Sequence, residues 1–230
     1  MNNDMTYQEI NNTKSNIKEF LNEIQKLACK SEFNFSQCDG DFFSFIAKHI
    51  VFFKYLYSGR RKTYFYKVLI SDLYYFILSI LENKMRYMYV NERSIIENYM
   101  RAIMQVSLQD NHVTETIFEE MHMKSFKCSF SDSEYSLIKS EYGVSCGYIH
   151  GGDILSDNLS YVLEECSKKR FEIDDRRKYY IRFQRVVKIF DRLVIAENAA
   201  YVSGCFHRKK SMMEYLLGKN QVDLLFQVLK

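Results

Sequence analysis

Not one proline occurs in the 230 residues of this chain. At an average usage of about 5%, roughly eleven would be expected. Proline removes a backbone donor and clashes with the preceding helical turn, so its absence leaves every helical stretch free of that break. Apolar residues recur at helical spacing through most of the chain. Strict alternation over four or more residues is rare, so no strand is predicted. The chain is read as all-α, a single-domain multi-helix bundle over residues 1–230, with no repeat, low-complexity tract or linker. A composition of 47% apolar and 27% charged residues is that of a globular domain with a full core.

The helices are placed as follows. Residues 4–31 form the first, with Ile10, Ile17, Phe20, Leu21, Ile24 and Leu27 on one stripe. This N-terminal region, 1–33, is expected at the periphery. Ser36 to Gly40 reads as a loop, and Asp41 as the cap of a helix over 42–57 that ends at Ser58-Gly59. His49 sits in the apolar stripe of that helix and reads as a core histidine. A helix over 62–88 is apolar nearly all round, which predicts a central position. Asn91 is expected to cap a helix over 92–108, and a short helix covers 114–123. Ser131 to Glu134 has capping-box form, opening a helix to about Tyr142. Four of the eight glycines follow closely, Gly143, Gly147, Gly151 and Gly152, which predicts unusual backbone there. Helices are also predicted over 156–169, 174–206 and 209–229, the last interrupted near Gly218.

Several function classes are excluded or disfavoured. A net charge of +3 does not by itself imply nucleic-acid binding. The six cysteines, at 29, 38, 128, 146, 166 and 205, form no CxxC pair, so no metal site is expected and free buried thiols in a reducing compartment are. Met1 to Asn12 does not have the form of a signal peptide, and a cytoplasmic location is expected. Tyr64–Leu81 has membrane-like hydropathy, but Lys67 and Asp72 lie inside it and Arg60, Arg61 and Lys62 precede it. It is read as a core helix, with no membrane partner. No P-loop, dinucleotide fingerprint, HExxH or GxSxG occurs, and no cofactor is expected.

Three patterns carry candidate chemistry. On the helix after Asn91, Ile96, Met100, Ile103 and Met104 define an apolar arc. Arg93 falls inside it, Glu97 at its edge and Arg101 further round. Charges at a core edge mark either a site or an internal salt bridge. The second pattern is the stretch Glu141 to Asp153, where His150 precedes two glycines. An imidazole there suits proton transfer near neutral pH, with Tyr142, Ser145 and Tyr148 placed to orient it or to bind a phosphate. The third is an arc of Arg182, Arg185, Lys188 and Arg192 on the helix over 174–206, opposite Phe183, Val186, Val187, Phe190 and Val194. It reads as an RNA-phosphate stripe or as the solvated face of an amphipathic helix.

The R-x3-E-x3-R helix, the Y-x2-S-x2-Y-I-H-G stretch and the long helix that follows resemble the HEPN-like proteins of bacterial defence and abortive-infection systems, over roughly residues 60–230. The resemblance implies an all-helical HEPN-like bundle, a homodimer and metal-independent RNA cleavage. Its catalytic histidine carries over onto His150. The arginine that the family separates from that histidine by four to six residues does not, because positions 143 to 145 are Gly, Val and Ser. Arg93 or Arg101 would then supply the guanidinium that stabilises charge on the phosphate.

Three readings follow. One is a ribonuclease effector of a defence or toxin system, acting through His150 with Arg93 or Arg101. Another is a degenerate HEPN-like module that dimerises or binds a partner protein of a defence or toxin–antitoxin system. The third is a helical RNA-binding adaptor that uses the basic arc on 182–192.

Overall fold

A helix starts and stops where side chains or backbone can satisfy its unpaired terminal groups. The computed structural model describes residues 2–59, 64–107, 114–149, 160, 163 and 173–230. Its helices are α1 (Asn2–Lys30), α2 (Gln37–Tyr57), α3 (Tyr64–Leu81), α4 (Met85–Met104), α5 (Thr114–Met123), α6 (Asp132–Ile149), α7 (Ile173–Glu197), α8 (Ala199–Cys205), α9 (Lys210–Leu217) and α10 (Lys219–Val228). The chain is all-α and forms one multi-helix domain. The helix expected over 156–169 lies, apart from positions 160 and 163, outside the described residues.

Several boundaries differ from those read in the sequence, each for a local reason. α2 begins after Ser36, not Asp41: the Ser36 amide donates to the Asp39 carboxylate at 2.8 Å, and Asp41 already lies inside the helix, accepting from Gln37 at 2.9 Å. The helix expected over 62–88 is two helices. Asn83 takes a left-handed conformation (φ 53°), and the amides of Asn83 and Lys84 donate back to Ile80 O and Ser79 O at 3.0 and 2.9 Å. That is a Schellman closure with asparagine where glycine is commoner. Asn91 is therefore inside α4 and caps nothing. α6 opens with the expected capping box, Ser131 N–H donating to Glu134 at 3.0 Å, but runs seven residues beyond Tyr142. Gly143 and Gly147 lie within it on the exposed side, with no neighbour where a Cβ would stand, so a helix passes through them at modest cost. The helix expected over 174–206 divides at Asn198, whose amide donates to Val194 O at 3.1 Å. Gly218 separates α9 from α10 at φ 90°, a conformation that favours glycine.

α3 and α4 form an antiparallel hairpin. α4 packs in turn on α5, α6 and α7, and α2 packs on α3, α7, α8 and α9. α1 lies along α2 and α9 and places Ile24 and Ala28 in the core. α3 is not central as expected. Its inner side buries Phe65, Leu69, Leu73, Phe76 and Ile80, while Tyr64, Tyr75 and Leu78 stay exposed. The span Tyr64–Leu81 is long and apolar enough to cross a membrane, and half of it is buried in the bundle. The cysteines also differ from expectation. Cys29 is exposed and Cys38, Cys128, Cys146 and Cys205 are half-buried free thiols; Cys166 lies outside the described residues.

The 18 tyrosines and 18 phenylalanines explain the interior. Rings of α2, α3, α4 and α7 stack through the core: Phe42 on Tyr180 at 3.8 Å, Phe76 on Phe183 at 4.7 Å, Tyr99 on Phe190 at 4.9 Å. A buried tyrosine hydroxyl needs an acceptor. Three carboxylates supply it. Tyr180 donates to Asp39 at 2.8 Å, Tyr179 to Glu92 at 2.7 Å and Tyr99 to Asp191 at 3.1 Å. Each carboxylate in turn brings a base or a further donor into the bundle. Arg176 Nε lies 3.5 Å from Asp39, and its terminal nitrogen donates to Asn34 O at 2.8 Å. His49 Nε2 lies 2.8 Å from Asp191, and its Nδ1 lies 2.7 Å from Phe45 O. The carbonyl can only accept, so Nδ1 carries a hydrogen, and a proton lies between Nε2 and the carboxylate.

Breaking such a set leaves buried donors unpaired. Asp191→Ala strands the His49 ring and the Tyr99 hydroxyl and is expected to cost about 3–5 kcal/mol in urea unfolding, whereas the exposed Asp175→Ala changes stability by less than about 0.5 kcal/mol. Equal effects at the two positions would contradict this description of the core.

Candidate functional site

The candidate residues of α4 and α6 meet along one edge. Successive turns of α4 present Arg93, Glu97 and Arg101 at i, i+4 and i+8, and α6 runs antiparallel beside them. Arg93 Nε donates to Glu97 Oε1 at 2.8 Å, and the Tyr142 hydroxyl donates to the same oxygen at 3.1 Å. Arg101 reaches Glu97 Oε2 at 3.5 Å, and the Arg93 guanidinium lies 5.2 Å from the Tyr142 ring centre. The side chains of Arg93 and Arg101 are 28% and 27% exposed and that of Glu97 15%, so the cluster sits at the rim rather than in the core. Its hydrogen bond to Glu97 holds Arg93 firmly protonated. One carboxylate between two guanidiniums leaves one net positive charge, already anchored to the protein's own acid.

The charged residue that α4 does bury is Glu92, one position before Arg93. It is 1% exposed and lies on the stripe of Met88, Ile95, Ile96 and Tyr99. Around it, α7 contributes Tyr179 and Arg182, and α6 contributes Glu141 and Ser145. Arg182 Nε is 3.2 Å from Glu141 Oε1, while Glu141 Oε2 is buried without a donor. Burial first, and the negative charge of Glu141 second, push the Glu92 carboxyl up to about 8, against the opposing effects of Tyr179, Arg182 and Ser145. Glu92 is therefore a neutral acid at pH 7. Ser145 is fully buried and donates to Glu141 O at 3.0 Å, and Tyr148 stacks on Tyr89 at 3.9 Å. The ring stack holds α6 against α4, whereas the Ser145 bond stays within α6. Nearby, Asp72 accepts from Ser94 at 2.7 Å and Asn98 at 3.0 Å, and burial raises its pKa as well.

His150, Gly151 and Gly152 lie outside the described residues. The residue before them, Ile149, has its carbonyl held by Arg86, whose terminal nitrogen donates at 2.9 Å. Arg93 faces Tyr142, seven residues earlier on α6. That separation is about 10 Å of helix axis. Arg86, not singled out in the sequence, is thus the guanidinium at the point where the chain enters His150.

The basic arc of α7 divides in two. Arg182 is tied to Glu141, and Arg192 donates to Glu134 at 2.7 Å, both on α6. Arg185 and Lys188 are exposed and make no ion pair among the described residues. Elsewhere, a cleft of about 720 Å³ opens between the end of α2 and α8, with Tyr55, Gly59, Tyr201, Cys205, His207 and Lys209 in its wall. None of the candidate residues read from the sequence lines it.

Glu92, Glu141, Tyr179 and Arg86 were missed by sequence reasoning. The available signal for Glu92 was its spacing to Met88, Ile95, Ile96 and Tyr99, which puts it at the centre of the stripe, whereas Arg93 lies about 100° round. No protein-family model, curated protein or solved structure matches the chain.

Glu92 makes stability pH-dependent. The folded chain keeps its proton up to about pH 8, whereas the unfolded chain releases it near 4.5. Between those values the folded state binds more protons, so its contribution to stability falls as pH rises. Glu92→Gln keeps an acceptor for Tyr179 and cannot ionise. Its stability relative to the native chain, from urea unfolding, is expected to rise between pH 5 and 8 by on the order of a few kcal/mol. Parallel pH profiles would contradict the assignment.

Proposed function

We propose that this chain is a binding module, a HEPN-like helical bundle that works by docking a protein partner or a second copy within a cytoplasmic bacterial defence or toxin–antitoxin system. The observation that supports it is the state of the arginines. Arg93 and Arg101 are held by Glu97, Arg182 by Glu141 and Arg192 by Glu134, all within the same domain. A guanidinium bound to an internal carboxylate must give up that partner before it can clamp a phosphate. The lack of an arginine at 143–145, where the family pattern needs one, points the same way.

One observation favours a second reading, metal-independent ribonuclease activity. Arg86 grips the backbone at Ile149, next to His150, where a catalytic histidine would need a cation. Of the predicted arc, an RNA-binding adaptor would keep Arg185 and Lys188, joined by the exposed Arg177 about two turns earlier on the same helix, and its binding would weaken as salt rises.

The two main readings separate in one assay. Purified protein incubated with single-stranded and structured RNA in EDTA is expected to leave the RNA intact, and His150→Ala is expected to change nothing in a cell-toxicity assay. Cleavage that falls at least about 100-fold in both His150→Ala and Arg86→Ala would establish the nuclease instead.

A further inference from the structure

Among the described residues, the outer arc of α3 is a seam without a partner. Tyr64, Lys67, Ser71, Tyr75, Leu78 and the following Glu82 are all exposed, and they recur at intervals of three and four residues. That is the spacing by which one helix presents a continuous stripe to another. Tyr64 is 53% exposed and Tyr75 61%, so large rings face outward from the chain's most apolar helix. The stripe widens onto α4. Ser79 Oγ donates to Tyr75 O, and the Asn91 amide donates both to Ser79 Oγ and to Tyr87 O, at 2.8–2.9 Å, which ties Tyr75 and Tyr87 to the same face. Tyr87 is 60% exposed and Val90 40%.

We propose that this face pairs with its own copy, two α3 helices lying antiparallel about a two-fold axis near Tyr75. Charge placement selects the occupant and the direction. Lys67 stands eight residues before Tyr75 and Glu82 seven after, about 12 and 10 Å along the axis. An antiparallel copy therefore brings Lys67 within reach of the partner copy's glutamate at both ends, with tyrosine and leucine between. A parallel copy would set lysine against lysine and glutamate against glutamate. Glu82 is available for this contact, because its present partner is the exposed Lys84 at 2.6 Å, a surface pair of little strength. A lipid surface fits the same stripe poorly, since Lys67, Ser71 and Glu82 would enter it along with the rings. α3 is about 27 Å long, a short contact for a helix pair, so a weak, concentration-dependent dimer is expected.

This inference deepens the proposed reading by naming the docking surface and its occupant. Sedimentation velocity on the full chain from about 1 to 100 µM tests it, with circular dichroism to confirm folding of each variant. The native chain shifts from a 27.5 kDa monomer to a dimer over that range. Leu78→Glu stays monomeric. Lys67→Glu and Glu82→Lys each weaken association several-fold, and the two together restore it to within about two-fold of native, a result that a merely destabilised surface would not give. A native chain that is monomeric throughout, a dimer indifferent to Leu78→Glu, or a double variant no better than the singles overturns the proposal. So does a monomer that binds phosphatidylcholine or phosphatidylserine vesicles through Leu78. A dimer that cleaves RNA would leave this contact standing and remove the binding-module reading; a monomer that cleaves none would do the reverse.

Discussion

The bundle depends on a single kind of interaction, a buried tyrosine hydroxyl donating to a buried carboxylate. Tyr179 and Tyr180 on α7 and Tyr99 on α4 carry enough ring surface to fill the core but cannot be enclosed without an acceptor. Glu92, Asp39 and Asp191 supply it. Each carboxylate would be costly alone, so each is accompanied: Asp39 by Arg176, Asp191 by His49, and Glu92 by its own proton. α7 is thereby held in register against α2 and α4 from Arg176 to Asp191. Apolar packing alone would tolerate a slip of one turn; these sets would not.

The same logic determines what the basic residues are for. α7 looks like a nucleic-acid stripe when its sequence is projected on a wheel, yet two of its four candidate bases reach across to α6. Arg182 and Arg192 close α6 onto α7, and Tyr142 of α6 closes onto α4 through Glu97 and Arg93. Charges that serve as counter-ions inside a domain contribute to shape and register. What remains outward on α3 is a stripe of tyrosine and leucine with Lys67 and Ser71 among them, and the two bases of the predicted arc on α7 that lack an acid among the described residues are Arg185 and Lys188.

Much of the fold was legible because proline-free, strongly periodic segments leave few alternatives. The core stripe of α2, the span of α5, the Ser131 capping box and the break at Gly218 all follow from local chemistry. Other features were illegible for equally local reasons. Asn83 ends α3 by adopting a left-handed conformation that asparagine tolerates but does not announce. Ser36 to Asp39 reads as a polar loop until Tyr180 and Arg176, about 140 residues away, turn Asp39 into a core residue. The site was legible in part. Arg93, Glu97, Arg101 and Tyr142 do converge, but the buried acid of α4 is the neighbouring Glu92, and a shift of one residue on a helix is a change of face. Its partners Glu141 and Tyr179 come from two other helices, so no window of sequence contains the cluster.

The measurement that bears most directly on the role of these bases is a double-mutant cycle on Arg182 and Glu141, read by urea unfolding at pH 7. If Arg182 is a counter-ion to a buried acid, Arg182→Gln costs about 1 kcal/mol or more in the native background and close to nothing once Glu141→Gln is present. An equal cost in both backgrounds would mean that the arginine is not serving the bundle, and that its charge is available for a ligand after all.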